Sequence, residues 1–228
     1  MVQMRRSSSL MIIGILLAGY LPLQAVQQIP LLSSDAIVED SEKAACEVLK
    51  TRFAELYMEN KKPDRYWFCD FTTQKSNYVR IIGLRSSAPR NDGATIYSNL
   101  MGWFAVARRS HVVLQWDLNE DRLIPIDGSY SDRIVEDSDP AACDVLKSQI
   151  ARILEANERP DPSWTCEPLK EKDQFVSLVA LRSISGPTAP STTGKLIGTF
   201  AVAKRSDLVI GFDVSGNRLV ALKSKTAK

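Results

Sequence analysis

Few residues of this chain have the types and spacing that catalysis needs. His111 is the only histidine, so an arrangement of a serine or cysteine nucleophile with a histidine base would have to be built on it. It lies beside a predicted hairpin turn. A later, related stretch of the chain has Asp207 at the same position, which favours the interpretation of His111 as a polar turn residue. The glycines form no phosphate-binding or dinucleotide-binding pattern. We therefore predict no catalytic residue and no cofactor.

Two aspartates are the remaining candidates for chemistry, because a glycosidase needs only a pair of carboxylates. Asp117 and Asp213 are each followed five residues later by an arginine, Arg122 and Arg218. This spacing places each pair across a tight turn, where an aspartate side chain accepts hydrogen bonds from backbone N–H groups. The pattern favours a structural role, and an envelope enzyme that uses carboxylate catalysis is the alternative.

The four cysteines predict disulfides rather than a metal site. They form two pairs with the same separation, Cys46 with Cys69 and Cys143 with Cys166. A zinc site is disfavoured because the chain has no C-x-x-C pair and a single histidine. Four cysteines allow three pairings, and a duplicated unit that was once alone could only have paired internally. The prediction is therefore Cys46–Cys69 and Cys143–Cys166, in an oxidising compartment.

The same unit occurs twice in the chain. The sequence IVEDSEKAACEVLK begins at Ile37, and IVEDSDPAACDVLK begins at Ile134. Further along, MGWFAVARRSHVVLQWD (101–117) returns as IGTFAVAKRSDLVIGFD (197–213). We predict two tandem repeats, which span residues 37–128 and 134–224.

Each repeat should begin with a helix. Cys46, Leu49, Phe53 and Leu56 have the spacing of one buried helical face, and the second repeat has the same stripe, at Cys143, Leu146, Ile150 and Ile153. Ser41 and Ser138 lie where N-caps are expected. The disulfides should therefore tie the inner face of each helix to a sheet.

The rest of each repeat predicts antiparallel strands. The segments in the first repeat are 66–71, 78–85, 102–108, 112–117 and 122–126; those in the second are 163–167, 174–182, 198–204, 208–213 and 218–222. A helix followed by a meander gives the α+β class, as a tandem repeat of two units, each one N-terminal helix packed on a four- to five-stranded antiparallel sheet. Ser-, Gly- and Pro-rich segments at 86–99 and 183–195 predict loops. The junction between the repeats is short, so we expect the two units to lie against each other.

Aromatic residues are distributed unequally between the repeats: twelve lie in residues 37–133 and four in 134–228. Trp67 and Phe104 have counterparts and are assigned to the core. Three others, together with Tyr97, are the candidate binding residues: Tyr66, Phe68 and Trp103, whose counterparts are Ser163, Thr165 and Thr199.

The polar counterparts predict that this sheet face is solvated in the second repeat, which makes the same face of the first repeat an exposed aromatic cluster. Such clusters commonly mark interaction sites. The alternative is that the face packs against the second repeat.

The N-terminus and the charge balance indicate export. Arg5 and Arg6 precede an apolar run over 10–21, and Ala25 is a small residue at the expected cleavage position, so residues 1–25 are predicted to be a signal peptide. Residues 26–36 form an N-terminal segment. The alternative is an uncleaved membrane anchor, the one way in which the membrane is a partner. Without residues 1–25 the chain is neutral, which disfavours nucleic acid as a partner.

From these observations we expect an exported, non-enzymatic binding protein, periplasmic or secreted, that acts on a protein partner in the cell envelope, for instance as an inhibitor or an immunity-type protein. A structural component of an envelope or secretion assembly is a further alternative to the carboxylate enzyme.

Overall fold

The computed structural model describes residues 36–89, 96–129, 133–153, 162–184 and 194–222. The predicted signal peptide lies outside the described residues. Two units follow one another, each a helix and then five antiparallel strands, so the predicted α+β tandem is confirmed. The first unit consists of α1 (Glu42–Tyr57), β1 (Trp67–Phe71), β2 (Val79–Pro89), β3 (Ile96–Ala107), β4 (Val113–Asp117) and β5 (Arg122–Pro125). The second consists of α2 (Asp139–Ile153), β6 (Trp164–Lys172), β7 (Val176–Ser183), β8 (Lys195–Ala203), β9 (Val209–Asp213) and β10 (Arg218–Val220).

Helix α1 begins at the predicted N-cap. The hydroxyl of Ser41 accepts a hydrogen bond from the backbone N–H of Ala44 at 3.2 Å, which satisfies one of the free donors of the first turn. Leu49 and Ala54 are fully buried against the sheet. Phe53 lies edge-on to Trp67 and Phe104, with ring centroids 5.4 and 5.7 Å apart. The predicted apolar stripe is thus the contact between the helix and the sheet.

Both sheets are meanders in which each strand pairs with the next along the chain, in the orders β1-β2-β3-β4-β5 and β6-β7-β8-β9-β10. The outermost strands of the first sheet are therefore β1 and β5. The predicted loop at 86–99 is wrong in its extent, because β2 continues to Pro89 and β3 starts at Ile96, with Ser86 opposite Asn99. In the second unit the ladder ends at Ser183 opposite Lys195.

Each disulfide has the predicted pairing. Cys46 of α1 is bonded to Cys69 of β1, and Cys143 of α2 to Cys166 of β6, with a sequence separation of 23 residues in both. The bonds tie each helix to the outermost strand that follows it. They are compatible with an oxidising location.

The two sheets pack face to face, with the helices on the outside. One apolar cluster spans both repeats and is contributed by equivalent positions: Tyr78 and Phe175, Val79 and Val176, Ile81 and Leu178, Ala105 and Ala201, Ala107 and Ala203, Leu114 and Ile210, Leu123 and Leu219. The aromatic contacts between the repeats are also equivalent. Tyr78 of the first repeat lies edge-on to Phe212 of the second (5.4 Å), and Phe175 of the second lies edge-on to Trp116 of the first (5.9 Å). The repeats are therefore related by a pseudo-two-fold axis, in the manner of an isologous dimer.

The sheets are offset, so that they do not cover each other completely. β3 packs over β10, and β5 packs over β8. Within the described residues, strand β1 makes no comparably close contact with a strand of the second sheet. The outer strand of the first sheet therefore takes less part in the contact between the repeats than β3 and β5 do.

A polar contact between equivalent residues lies close to the pseudo-two-fold axis. The hydroxyl of Ser76 donates to the carboxylate of Asp173 at 2.7 Å, and the backbone N–H of Asn77 donates to the same oxygen at 2.9 Å. Ser76 and Asp173 are both buried and occupy the same position in the two repeats. A residue that contacts its own equivalent must lie near the axis, so this position breaks the symmetry.

The recurrent arginines cross between the repeats. The guanidinium of Arg218 donates to the carbonyls of Ala36 and Arg109, both at 3.2 Å. In the opposite direction, Arg122 donates to the carbonyl of Arg133 at 3.3 Å. Arg218 thus binds the segment that precedes α1 and the turn between β3 and β4, and Arg122 binds the segment that precedes α2. These bonds confirm that the units lie against each other. Among the described residues, no helix is long and apolar enough to cross a membrane.

Candidate protein-binding surface

The first sheet carries an aromatic surface, which we define as Tyr66, Phe68, Leu100 and Trp103. All four lie on or next to strands β1 and β3, on the face of the sheet that is opposite to α1. Tyr66 and Phe68 are each 37% exposed, and Leu100 is 43% exposed. These three are among the exposed large hydrophobic side chains of the described residues.

Strand alternation explains why Phe68 faces outward. Trp67, directly before it in β1, is 5% exposed and packs in the core against α1. Successive side chains of a strand point to opposite faces, so Phe68 lies on the face away from the helix. Tyr66 precedes the strand, and the guanidinium of Arg65 stacks over its ring, 4.6 Å from the centroid.

Trp103 lies at the border between the aromatic surface and the core between the repeats. It is half-buried, and its ring contacts Trp116 edge-on, with centroids 6.3 Å apart. Trp116 in turn contacts Phe175 of the second repeat. One side of Trp103 therefore continues the contact between the repeats, and the prediction of an exposed residue holds for it only in part.

A glycine makes room for the Trp103 ring. A Cβ atom at Gly83, which is paired with Trp103 across the ladder, would lie 3.1 Å from the indole and 3.3 Å from Leu100. The equivalent residue of the second repeat is Ala180, and it lies opposite Thr199. The combination of a glycine with a large ring opposite it therefore occurs in the first repeat only.

An ion pair lies within the aromatic surface. Arg85 of β2, which is opposite Phe68 on one side and Leu100 on the other, donates to the carboxylate of Asp70. The second repeat keeps this pair as Arg182 and Glu167, 3.0 Å apart. The ion pair is thus common to both sheets, whereas Tyr66, Phe68 and Trp103 are specific to the first.

The prediction of a solvated face in the second repeat is wrong at Thr199. This residue is only 7% exposed, because the packing of the two sheets covers the middle of the face. Ser163 and Thr165, at the margin, are half-buried. The side chain of Tyr97, the fourth predicted binding residue, lies outside the described part of the structure, although its backbone pairs with Ala88.

Leu100 and the pair of Arg85 and Asp70 were missed by the sequence analysis. A change of register between Leu84 and Arg85 brings Leu100 onto the same face as Trp103. Simple alternation from Trp103 would have assigned it to the opposite face. The recurrence of an arginine at 85 and 182 with an acid at 70 and 167 was the available signal for the ion pair.

The carboxylates considered for catalysis stabilise turns. Asp117 accepts hydrogen bonds from the backbone N–H groups of Asn119 and Glu120, at 3.1 and 3.4 Å. Asp213 accepts from the hydroxyl of Ser215 at 2.6 Å and from the N–H of Gly216 at 3.1 Å. The Ser215 hydrogen bond, followed by those of Gly216 and Arg218, lowers the pKa of Asp213 against the effect of burial. Each aspartate also pairs with the arginine of its own repeat.

A groove of about 1030 Å³ lies elsewhere, between α1, β4, β5 and the second repeat. Equivalent segments of the two repeats line it, 112–114 with 208–210 and 125–126 with 221–222, and His111 is also a lining residue. It contains none of the predicted binding residues.

Within the described ranges, no group of three or more histidine, cysteine or acidic side chains is arranged to hold a metal ion.

Comparison of the chain with protein-family models, with curated proteins and with solved structures finds no match.

Proposed function

We propose that this chain is an exported, non-enzymatic binding protein that recognises a protein partner through the aromatic surface of its first repeat, as an inhibitor or immunity-type protein of the cell envelope. The observation that carries the proposal is the exposure of Tyr66 and Phe68 at the outermost strand of the first sheet. The fold does not require aromatic residues there, because the second repeat has Ser163 and Thr165 at the same positions.

The physical basis is the large contact area that rigid aromatic side chains provide at a low cost in side-chain entropy. Arg85 and Asp70 add polar groups in the middle of the surface, and Arg65 lies over Tyr66. A patch of aromatic residues with an arginine at its centre has the composition of an interaction site. The disulfide-tied scaffold beneath it restricts the loss of entropy on binding.

The test replaces the aromatic residues with those of the second repeat. The double variant Tyr66→Ser, Phe68→Thr should fold like the wild type and lose the ability to retain a specific partner from an envelope extract. Quantitative binding to that partner after purification should weaken at least about 30-fold, since truncation of a central aromatic residue costs about 2 kcal/mol or more.

The matched control is Ser163→Ala, Thr165→Ala, which changes the equivalent margin of the second repeat. It should bind as the wild type does. Equal loss of binding in both double variants, or undiminished binding of the first, would contradict the proposal.

A further inference from the structure

The outermost strand β1 has an open hydrogen-bonding edge whose equivalent in the second repeat is blocked. The N–H of Ser87 donates to the carbonyl of Tyr66, and the N–H of Thr72 donates to the carbonyl of Ile81. These bonds fix the alternation of an antiparallel ladder, so that residues 66, 68, 70 and 72 are hydrogen-bonded to β2. The backbone groups of Trp67, Cys69 and Phe71 therefore point away from the sheet.

These outward groups are mostly free in the part of the chain that the structure describes. The N–H of Trp67 donates to the carbonyl of Asp64 at 3.1 Å. No described residue binds the N–H groups of Cys69 and Phe71. A row of this kind is a template for another strand.

The second repeat has a proline at the critical position. The N–H of Ile184 donates to the carbonyl of Ser163, so β6 has the same alternation, and Trp164, Cys166 and Pro168 are its outward residues. Pro168 is equivalent to Phe71 and has no N–H group. The register of β6 also shifts beyond Pro168. Proline and irregularity at an edge strand both prevent strand pairing.

We infer that the chain forms a homodimer in which β1 pairs antiparallel with β1 of a second copy, centred on Cys69. In this register each Cys69 N–H donates to the Cys69 carbonyl of the other copy. Each Phe71 N–H donates to the Trp67 carbonyl of the other copy. The pairing therefore uses the two outward donors that are free, and it leaves the Trp67 N–H on Asp64.

The residues of β1 suit pairing with β1 of a second copy because their placement is symmetric about Cys69. Trp67 lies opposite Phe71 of the other copy, and the exposed part of the half-buried Phe71 ring is covered. On the opposite face, Phe68 lies opposite Asp70 of the other copy. Each Asp70 remains next to its own Arg85, so the two carboxylates do not face each other directly. An antiparallel pair of this kind has two-fold symmetry and closes after two copies.

The dimer joins the two first sheets into one continuous sheet. Because a two-fold axis normal to the sheet preserves its faces, both aromatic surfaces lie on the same side. In each copy the close contacts with the strands of the second repeat are made by β3 and β5 rather than by β1. The homodimer is independent of the proposed function, although it would bring Phe68 of the two copies close together.

The test is the molar mass of the full chain over a concentration series, measured by analytical ultracentrifugation. The wild type should rise from the mass of one chain to twice that mass. Phe71→Pro, which introduces the residue found at 168, should remain at the mass of one chain. Phe71→Leu, which keeps the N–H group, should dimerise like the wild type. A wild type that stays at the mass of one chain throughout overturns the inference, as does a Phe71→Pro variant that still doubles in mass.

Hydrogen exchange of the unaltered protein provides a measurement that does not depend on the folding of a variant. Exchange of the Cys69 amide should slow as concentration rises, whereas the amide of Cys166, at the equivalent position and in the equivalent disulfide, should not change. Doubling of the mass without protection of Cys69 would place the dimer contact elsewhere and overturn the inference.

Discussion

The recurrent arginines show what a single residue contributes to the junction between the repeats. Arg122 and Arg218 are 5% and 6% exposed, and each joins an aspartate of its own repeat to a backbone carbonyl of the other. The recurrence of the Asp–Arg spacing predicted the turn. The bond across the junction could not be predicted, because it depends on how the repeats are docked.

Acid should remove the stabilisation that Asp213 provides. Its pKa is lowered in the folded protein, chiefly by the hydrogen bond from Ser215. A carboxyl group with a lowered folded pKa stabilises the protein fully above its unfolded value, near 4, and loses this contribution as pH falls through the folded value. Urea unfolding at a series of pH values should therefore show the difference in stability between the wild type and Asp213→Asn shrinking below about pH 4.

Ser215→Ala serves as the matched variant, since it removes the hydroxyl and leaves the carboxylate in place. The contribution of Asp213 should be smaller in this variant and should disappear at a higher pH than in the wild type. A difference between wild type and Asp213→Asn that is independent of pH would contradict this account.

The helices and strands were largely predictable from local pattern, since the apolar stripe on α1 and the turn residues both act over short distances. The extent of the β2–β3 hairpin was not. Ser86, Ser87, Ser98 and Asn99 lack strand preference, yet their backbones continue the ladder. Pairing of two already adjacent strands costs little further chain entropy, and this outweighs the weak preference of the side chains.

Each disulfide should stabilise its own helix–sheet unit. The bond Cys46–Cys69 closes a loop between residues 23 positions apart, and a loop of this length contributes about 3 kcal/mol in the chain-entropy model. Cys46→Ala, Cys69→Ala should therefore lower the free energy of unfolding in urea by about that amount. Cys143→Ala, Cys166→Ala, with the same separation, should have a similar effect, and a negligible effect of both pairs would contradict the prediction.

At the scale of the molecule, the four layers, which are helix, sheet, sheet and helix, follow from the duplication. Comparison of the repeats separated Trp67 and Phe104, which both copies need, from Tyr66 and Phe68, which only one copy has. The prediction was wrong at Thr199, and the contact of Trp103 with the junction between the repeats was not predicted, because alternation identifies the face of a residue but not which part of that face another sheet covers. The coverage is set by the offset of β3 over β10, a property of the assembled molecule.

The buried contact near the pseudo-two-fold axis should determine whether the repeats dock. Ser76→Asp would place a second carboxylate next to Asp173, where the hydroxyl is now 2.7 Å away. Burial of an uncompensated charge costs several kcal/mol, so this variant should unfold at much lower urea than the wild type at pH 7. The loss should be partly reversed in mild acid, where one of the paired carboxyl groups takes up a proton.

The control for this variant is Ser76→Ala, which removes the hydrogen bond without adding charge. It should cost about 1 to 3 kcal/mol, because the Asp173 oxygen and nearby N–H groups lose a partner. Equal effects of the two variants, or an effect of Ser76→Asp that does not vary with pH, would show that charge at this position is not what opposes docking.

The position of the tryptophans gives the molecule two separate optical reporters. Trp67 and Trp164 are buried between a helix and its sheet, whereas Trp103 and Trp116 lie where the two sheets meet. The fluorescence emission of Trp103 and Trp116 should shift to longer wavelength when the repeats separate. The emission of Trp67 and Trp164 should stay unchanged for as long as each repeat stays folded. Undocking and unfolding can therefore be distinguished in one protein without an attached dye.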